Sequence, residues 1–376
     1  MRLRTFESFW LLKNGLLYTY PTLQKNIKTE ILLIGGGITG ALISDALMDA
    51  GYKVTLIDCR DIGQGSTSAT TSMLQYEIDE PLKDLAQKIG EDGAALCYQE
   101  GIIAIKYLKK LVTTKKIDCG FKMKKSLYIA HNKKAAKELH QEYEMRKKHK
   151  LGVKWLEPDV IKKTYGIVSQ GGILSETAAS VDAYKMAHEL IAFNVKRGMK
   201  VFDQTEIKSI EDQGTTPKII TKENHTITAK KIIFCTGFET VNLLKEKVAE
   251  LIYTYATVSE PTQTYNKNLE NILIWNTQDP YLYMRTTDDG RFLVGGEDSE
   301  YKDTILQQNI KEEKSKTLVK KLERTIPKLH FIEDISWGGV FGTTKDGLPY
   351  IGKSPEYKNC LFCLGFGGNG ITFSTQ

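Results

Sequence analysis

Three glycines in the stretch ILLIGGGITGALISDALMDAGYKVTLID, Gly35, Gly37 and Gly40, are spaced G-x-G-x-x-G, and Asp58 follows 18 residues after the last of them. Residues of these types at this spacing hold a dinucleotide. The first glycine allows a tight turn, the second lets the backbone approach a pyrophosphate, and the third lets a helix pack closely on the preceding strand. Free N–H groups around Ile38 and the dipole of that helix then meet the phosphates. Asp58, with Cys59 beside it, can accept from a ribose hydroxyl, and its charge disfavours the 2′-phosphate of NADP. FAD and NAD share the adenosine diphosphate that this fingerprint reads, so both stay open on these residues.

Other stretches carry candidate chemistry. GSTSATTSML, with Ser66, Thr67, Thr70, Thr71 and Met73, is too polar for a core element and too compact for a flexible linker, and reads as a binding loop. Tyr281, Tyr283 and Arg285 alternate and so share one face of a strand, with Arg291 across a turn at Asp289-Gly290. Cys360 and Cys363 form a CxxC, but no second CxxC or histidine cluster accompanies it, and its apolar setting reads as a buried strand. No metal site is expected. No His-Asp or Cys-His pair stands out among six histidines.

The elements that must position these groups follow from hydrophobic period. Residues 28–58 read strand, glycine turn, helix, strand. Helical spacing covers 81–112, a strand surrounds Leu127, and a lysine- and glutamate-rich helix runs to about Lys150. VDAYKMAHELIAFNVKRG is an amphipathic helix stopped by Gly198, and it feeds KKIIFCTG. From Tyr253 to Glu297 the texture is β, followed by a helical stretch from Ile310 to Leu329 and a glycine-rich end. The expected fold class is α/β: a Rossmann-like dinucleotide-binding domain from 27–80, 170–240 and 336–376. A substrate domain on a mostly antiparallel sheet would come from 81–169 and 241–335, with 1–26 as an N-terminal extension.

Composition narrows the class. Hydrophobic residues at 41% and charged residues at 26% match a folded globular chain and argue against disorder. The first 26 residues lack an apolar run long enough for a signal peptide or a membrane span, so a cytoplasmic protein is expected. The six cysteines are too sparse for a secreted disulfide framework. A net charge of +6 suits anionic ligands, and much of it falls on the solvated face of HNKKAAKELHQEYEMRKKHK, so nucleic acid is not the expected partner.

From about Ile27 to its end the chain resembles the FAD-dependent amine and amino-acid oxidoreductases, the family of D-amino-acid oxidase, glycine oxidase, sarcosine oxidase and γ-glutamylputrescine oxidase. The blocks that carry the resemblance are the nucleotide unit, GSTSATTSML, ASVDAYKMAHELI with VFDQTEIKSI, IIFCTG, WGGVFGTTKDGLPYIG and CLGFGGNGITFST. The resemblance implies FAD, with the hydroxyl loop along the pyrophosphate and ribityl chain and a main-chain contact to adenine at Ile207. It also implies backbone approach at Cys235, Thr236 and Gly237. Main-chain N–H groups of Gly367, Gly368, Asn369, Gly370 and Ile371 would face the pyrimidine carbonyls, where donors stabilise a reduced flavin.

Departures from the family pattern bear on substrate. Phe341 stands where glycine oxidase places the arginine that forks onto a substrate carboxylate, which leaves Tyr283, Arg285 and Phe341 as candidate substrate-pocket residues. The cysteine that attaches flavin in sarcosine oxidases is missing from the WGGVFGTTKDGLPYIG block, so FAD is expected to be non-covalent. Their oxygen-activating lysine is missing from FLVGGE, which leaves oxygen or another acceptor open. Family members continue past the glycine loop with a helix facing the flavin; this sequence stops at Gln376, and shortened that way it would hold flavin less tightly. The expected function is hydride transfer to FAD from the carbon beside a small amine or N-substituted amino acid. The alternatives are a flavin domain acting on a modified tRNA base, an NAD-dependent dehydrogenase and a non-catalytic flavin fold.

Overall fold

The structure is a computed structural model, and it describes residues 3–5, 7–212, 216–262, 265–301 and 308–376. Two sheets organise it. The first is built on the strands Ile27–Ile34 and Val54–Ile57, whose buried ends are Ile, Leu and Val. Such β-branched and leucine-rich runs, covered on both faces, are what a parallel sheet needs. Ile27–Ile34 pairs in parallel with Val54–Ile57 on one side and Thr226–Phe234 on the other, and Lys200–Phe202 and Tyr357–Leu364 extend the parallel core. Antiparallel strands complete eight: Tyr350–Ser354 at one edge, and Lys218–Thr221 with Ile207–Glu211 on Thr226–Phe234. The CxxC falls in Tyr357–Leu364 with Cys360 and Cys363 buried, the strand its apolar setting predicts.

Helix Ile38–Asp49 follows the first strand and packs against helix Ala183–Lys196. The second helix starts at Asp182, whose side chain accepts from Lys185 N–H, an N-cap that satisfies one of the free donors of the first turn.

The second sheet has ten strands, from Arg4–Thr5 and Glu333–Thr343 through Glu250–Ser259, Phe292–Glu300, Leu282–Thr286 and Ile272–Asn276 to Lys122–Ile129, Gly172–Ser180, Met73–Gln75 and Val153–Leu156. It is mixed: its pairings are antiparallel except for Ile272–Asn276 against Lys122–Ile129, which is parallel. Met73–Gln75, Gly172–Ser180 and Glu333–Thr343 all belong to it, so it draws strands from segments on both sides of the expected division. The site lies where loops from the first sheet meet this second one. No described helix is long and apolar enough to cross a membrane.

Candidate functional site

The nucleotide end is dictated by three glycines with three different duties. Gly35 has φ of 110°, and a Cβ there would lie 2.4 Å from the carbonyl oxygen of Cys235, just past the end of the adjacent strand. A Cβ on Gly37 would lie 2.8 Å from Thr67 Oγ1, and one on Gly40 would lie 1.9 Å from Gly35 O. Gly40 therefore serves helix packing and does not itself line the cavity. Asp58 ends its strand with one carboxylate oxygen accepting from Gly36 N–H at 2.7 Å and the other from Arg60 N–H at 2.8 Å. Burial raises the Asp58 carboxyl, and these two N–H groups oppose the rise. Arg60 in turn pairs with Glu239, and burial pushes the neighbouring Cys59 thiol up to about 11.

The hydroxyl loop is held by its backbone. Trp337 Nε1 donates to Ala69 O at 2.7 Å and Trp10 Nε1 donates to Thr70 O at 2.6 Å. Two buried indoles thus fix the carbonyls and leave side chains free to face inward, while Thr67 Oγ1 accepts from Ile38 N–H at 3.0 Å at the start of the helix.

The C-terminal glycine loop reaches the same place from the other end of the chain. Asn369 Nδ2 donates to Glu77 O at 2.7 Å and Gln75 O at 3.2 Å, and Gly368 N–H, expected to face the pyrimidine carbonyls, instead donates to Asp79 Oδ2 at 2.8 Å. Thr39 and Ser374 hydroxyls are 2.8 Å apart, closing the loop onto the first helix.

These elements enclose one cavity of about 610 Å³, within the range of cofactor and ligand pockets. Of the residues singled out in the sequence, Gly35, Gly37, Ile38, Asp58, Cys59, Ser66, Thr67, Thr70, Thr71, Met73 and Ile207 line it. So do Cys235, Thr236, Gly237, Gly367, Gly368, Asn369, Gly370, Ile371, Tyr283 and Phe341. The residues fit FAD: a Cβ on Gly35 or Gly37 would fill the close-approach turn, whereas at Gly237 it would meet nothing within 4 Å.

Arg285 is a correction. Alternation does place it on the face of Tyr281 and Tyr283, but the N-terminal helix Phe9–Asn14 covers that face beyond Tyr283. Its guanidinium lies 5.3 Å from the Trp10 ring centroid and donates to Val181 O at 3.2 Å, lining a separate cavity. Arg291 is also elsewhere, paired with Asp289 and Asp334.

Away from the nucleotide end the lining combines the rings of Tyr128, Trp275, Tyr281 and Tyr283 with polar Thr254, Asn276, Thr277 and Gln278. Tyr283 OH and Thr254 Oγ1 are 3.1 Å apart, the Tyr281 and Tyr283 ring centroids are 5.4 Å apart, and Tyr128 stacks on Trp275 at 3.5 Å. Sequence reading missed Asp79, Tyr128, Trp275 and Arg60, all of which line the cavity. Asp79 opens onto it, and enclosure by protein raises its carboxyl against the Gly368 N–H. Only Tyr281 and Tyr283 carried a signal, the alternation; nothing in the sequence joins Asp79 to a loop 289 residues away.

The chain is 28% identical over 233 residues to a Bacillus subtilis protein named for a Rieske 2Fe-2S iron-sulfur cluster. That match covers 62% of this chain and 44% of that protein, so this chain spans less than half of that relative. It is 22% identical over 363 residues to γ-glutamylputrescine oxidoreductase of Escherichia coli, covering 94% of this chain and 82% of the other. The crystal structure of glycine oxidase from Geobacillus kaustophilus superposes with a TM-score of 0.77 at 19% identity, over 93% of this chain and 92% of that one, and so shares the fold. A family model described as FAD dependent oxidoreductase, DAO type, matches residues 30–375. The dinucleotide that the glycine fingerprint left open is therefore FAD, and the chain belongs to the DAO family of FAD dependent oxidoreductases.

Proposed function

We propose that the protein oxidises the C–N bond of a small amine, one that carries positive charge and no free α-carboxylate. Asp79 carries this reading. Among the described residues the cavity's only arginine is Arg60, committed to Glu239, and no lysine lines it. Its substrate wall offers Asp79, the five rings of Tyr128, Trp275, Tyr281, Tyr283 and Phe341, and neutral polar Thr254, Asn276, Thr277 and Gln278, a lining that favours a cation through the Asp79 carboxylate and π faces. A substrate carboxylate would find no arginine fork there.

FAD, when bound, supplies the two-electron, hydride-accepting chemistry. The chain's own residues bind and orient. Asp79 and the Tyr281–Tyr283 pair hold the amine end; Phe341 and Trp275 keep water from the reacting carbon. The reacting nitrogen gives its proton to solvent before hydride leaves, and a neutral amine then releases hydride without a side-chain base, so the chemistry asks for no catalytic dyad in this wall.

An acceptor must take the electrons on. The relative named for a Rieske cluster and the absence of a lysine from the described lining both support an iron–sulfur or other one-electron acceptor ahead of oxygen. The flavin is held without a covalent bond: the cysteines lining the cavity, Cys59 and Cys235, lie with the nucleotide-binding strands.

The test is an anaerobic screen of diamines, N-methyl amines and α-amino acids for bleaching of the flavin, followed by reoxidation with oxygen or a one-electron dye. Bleaching by cationic amines ahead of glycine supports the reading; bleaching by α-amino acids alone overturns it, and no bleaching by any of them favours a non-catalytic flavin fold.

A further inference from the structure

A second cavity, of about 170 Å³, shares the Trp10 wall with the flavin loop. That is several times the roughly 30 Å³ a water molecule occupies in the liquid. Two cations are buried in its lining. Arg285 is 3% exposed; its Nη2 reaches Val181 O, and its Nε is buried without a hydrogen-bond partner among the described residues. Lys124 is 7% exposed; it donates to Glu270 O and to Thr286 Oγ1, which leaves one of its three N–H groups.

The acids in the same lining are committed elsewhere. Asp182 caps helix Ala183–Lys196 and accepts from Asn14 Nδ2 at 2.8 Å. Asp288 pairs with Lys13, and Glu270 takes Lys267 at 3.0 Å and the Tyr265 hydroxyl at 3.2 Å. Buried cations are ordinarily paired, yet neither Arg285 nor Lys124 has a carboxylate partner among the described residues.

We infer that this cavity is a binding site for a small oxyanion or carboxylate, held between the guanidinium of Arg285 and the ammonium of Lys124. The site is distinct from the flavin cavity and independent of the substrate chosen there. A planar or tetrahedral anion supplies the acceptor that Arg285 Nε lacks and the third partner of Lys124.

The electrostatics agree. Burial, and then Arg285 and Lys122, hold the Lys124 ammonium down at about 8, with Glu270 opposing. Burial also lowers Arg285 to about 10, opposed by Asp182, Asp288 and Asp289. A bound anion stabilises both charged forms, so its affinity is greatest below pH 8 and falls above it as Lys124 loses its proton.

Sulfate and acetate keep their charge between pH 7 and 9.5, which makes them suitable probes. Calorimetry on the flavin-loaded protein is expected to find one site per chain, at least tenfold weaker at pH 9.5 than at pH 7. Lys124→Gln and Arg285→Met should each weaken binding at least tenfold at pH 7, with flavin content reporting that each variant is folded. The wild-type pH profile needs no variant. Absence of binding by both probes, affinity independent of pH, or full affinity in folded Lys124→Gln would each overturn the assignment.

Discussion

Gly368 donates its N–H to a carboxylate oxygen of Asp79 at 2.8 Å, across 289 residues of sequence. That bond fixes an acid in the cavity lining that also holds Tyr281 and Tyr283, the proposed substrate wall. Asp79→Asn keeps the acceptor for Gly368 and removes the charge. For a cationic amine, KM should rise about 10- to 100-fold, equivalent to about 1.4–2.8 kcal/mol, with flavin content kept and kcat changed far less. Steady-state kinetics checks this; an unchanged KM would remove Asp79 from substrate binding.

Phe341 occupies the strand Glu333–Thr343 opposite Ile252 and lines the cavity. Phe341→Arg should bring a guanidinium to the substrate wall, so turnover of glycine or sarcosine should rise at least tenfold while that of cationic amines falls. The ratio of kcat/KM for the two classes is the readout.

A methyl group at Gly40 would collide with the carbonyl oxygen of Gly35, 1.9 Å from the ideal Cβ position. The contact is with backbone and cannot be relieved by a rotamer. Gly40→Ala is expected to cost about 1–3 kcal/mol of stability, as overpacking at a rigid contact does, and to lower bound flavin at least tenfold; thermal unfolding and the flavin-to-protein absorbance ratio measure both.

Asp298 supplies a pH dependence. Burial raises its carboxyl to about 6, with a hydrogen bond to Thr254 opposing. The folded protein thus binds this proton more tightly than the unfolded chain, so the associated stability is complete below about pH 4 and is lost as pH rises through 6. Asp298→Asn should therefore stabilise the protein at pH 7.5 by about 1–2 kcal/mol, allowing for partial exposure, and leave it unchanged near pH 4. Denaturant unfolding at both pH values checks the sign, and equal effects at the two would contradict it.

The nucleotide end was legible because its chemistry is local. Gly35, Gly37, Gly40 and Asp58 lie within one strand–turn–helix–strand unit, and the hydroxyl loop follows directly. The substrate wall was less legible because it is assembled from distant strands. Arg285 shows the limit: period 2 gave its face correctly, but which groups lie over that face depended on Trp10, 275 residues earlier, whose position no periodicity encodes. Asp79 gave no signal at all, since an acid ahead of a helix reads as ordinary first-turn chemistry.

The most direct test is the visible spectrum of the purified protein before and after anaerobic addition of a diamine. A flavin band that bleaches with the diamine, and bleaches far less with glycine, is the predicted result. Bound flavin that responds to glycine or another α-amino acid and not to the diamine would contradict the proposed specificity, and a protein that binds no flavin would contradict the site itself.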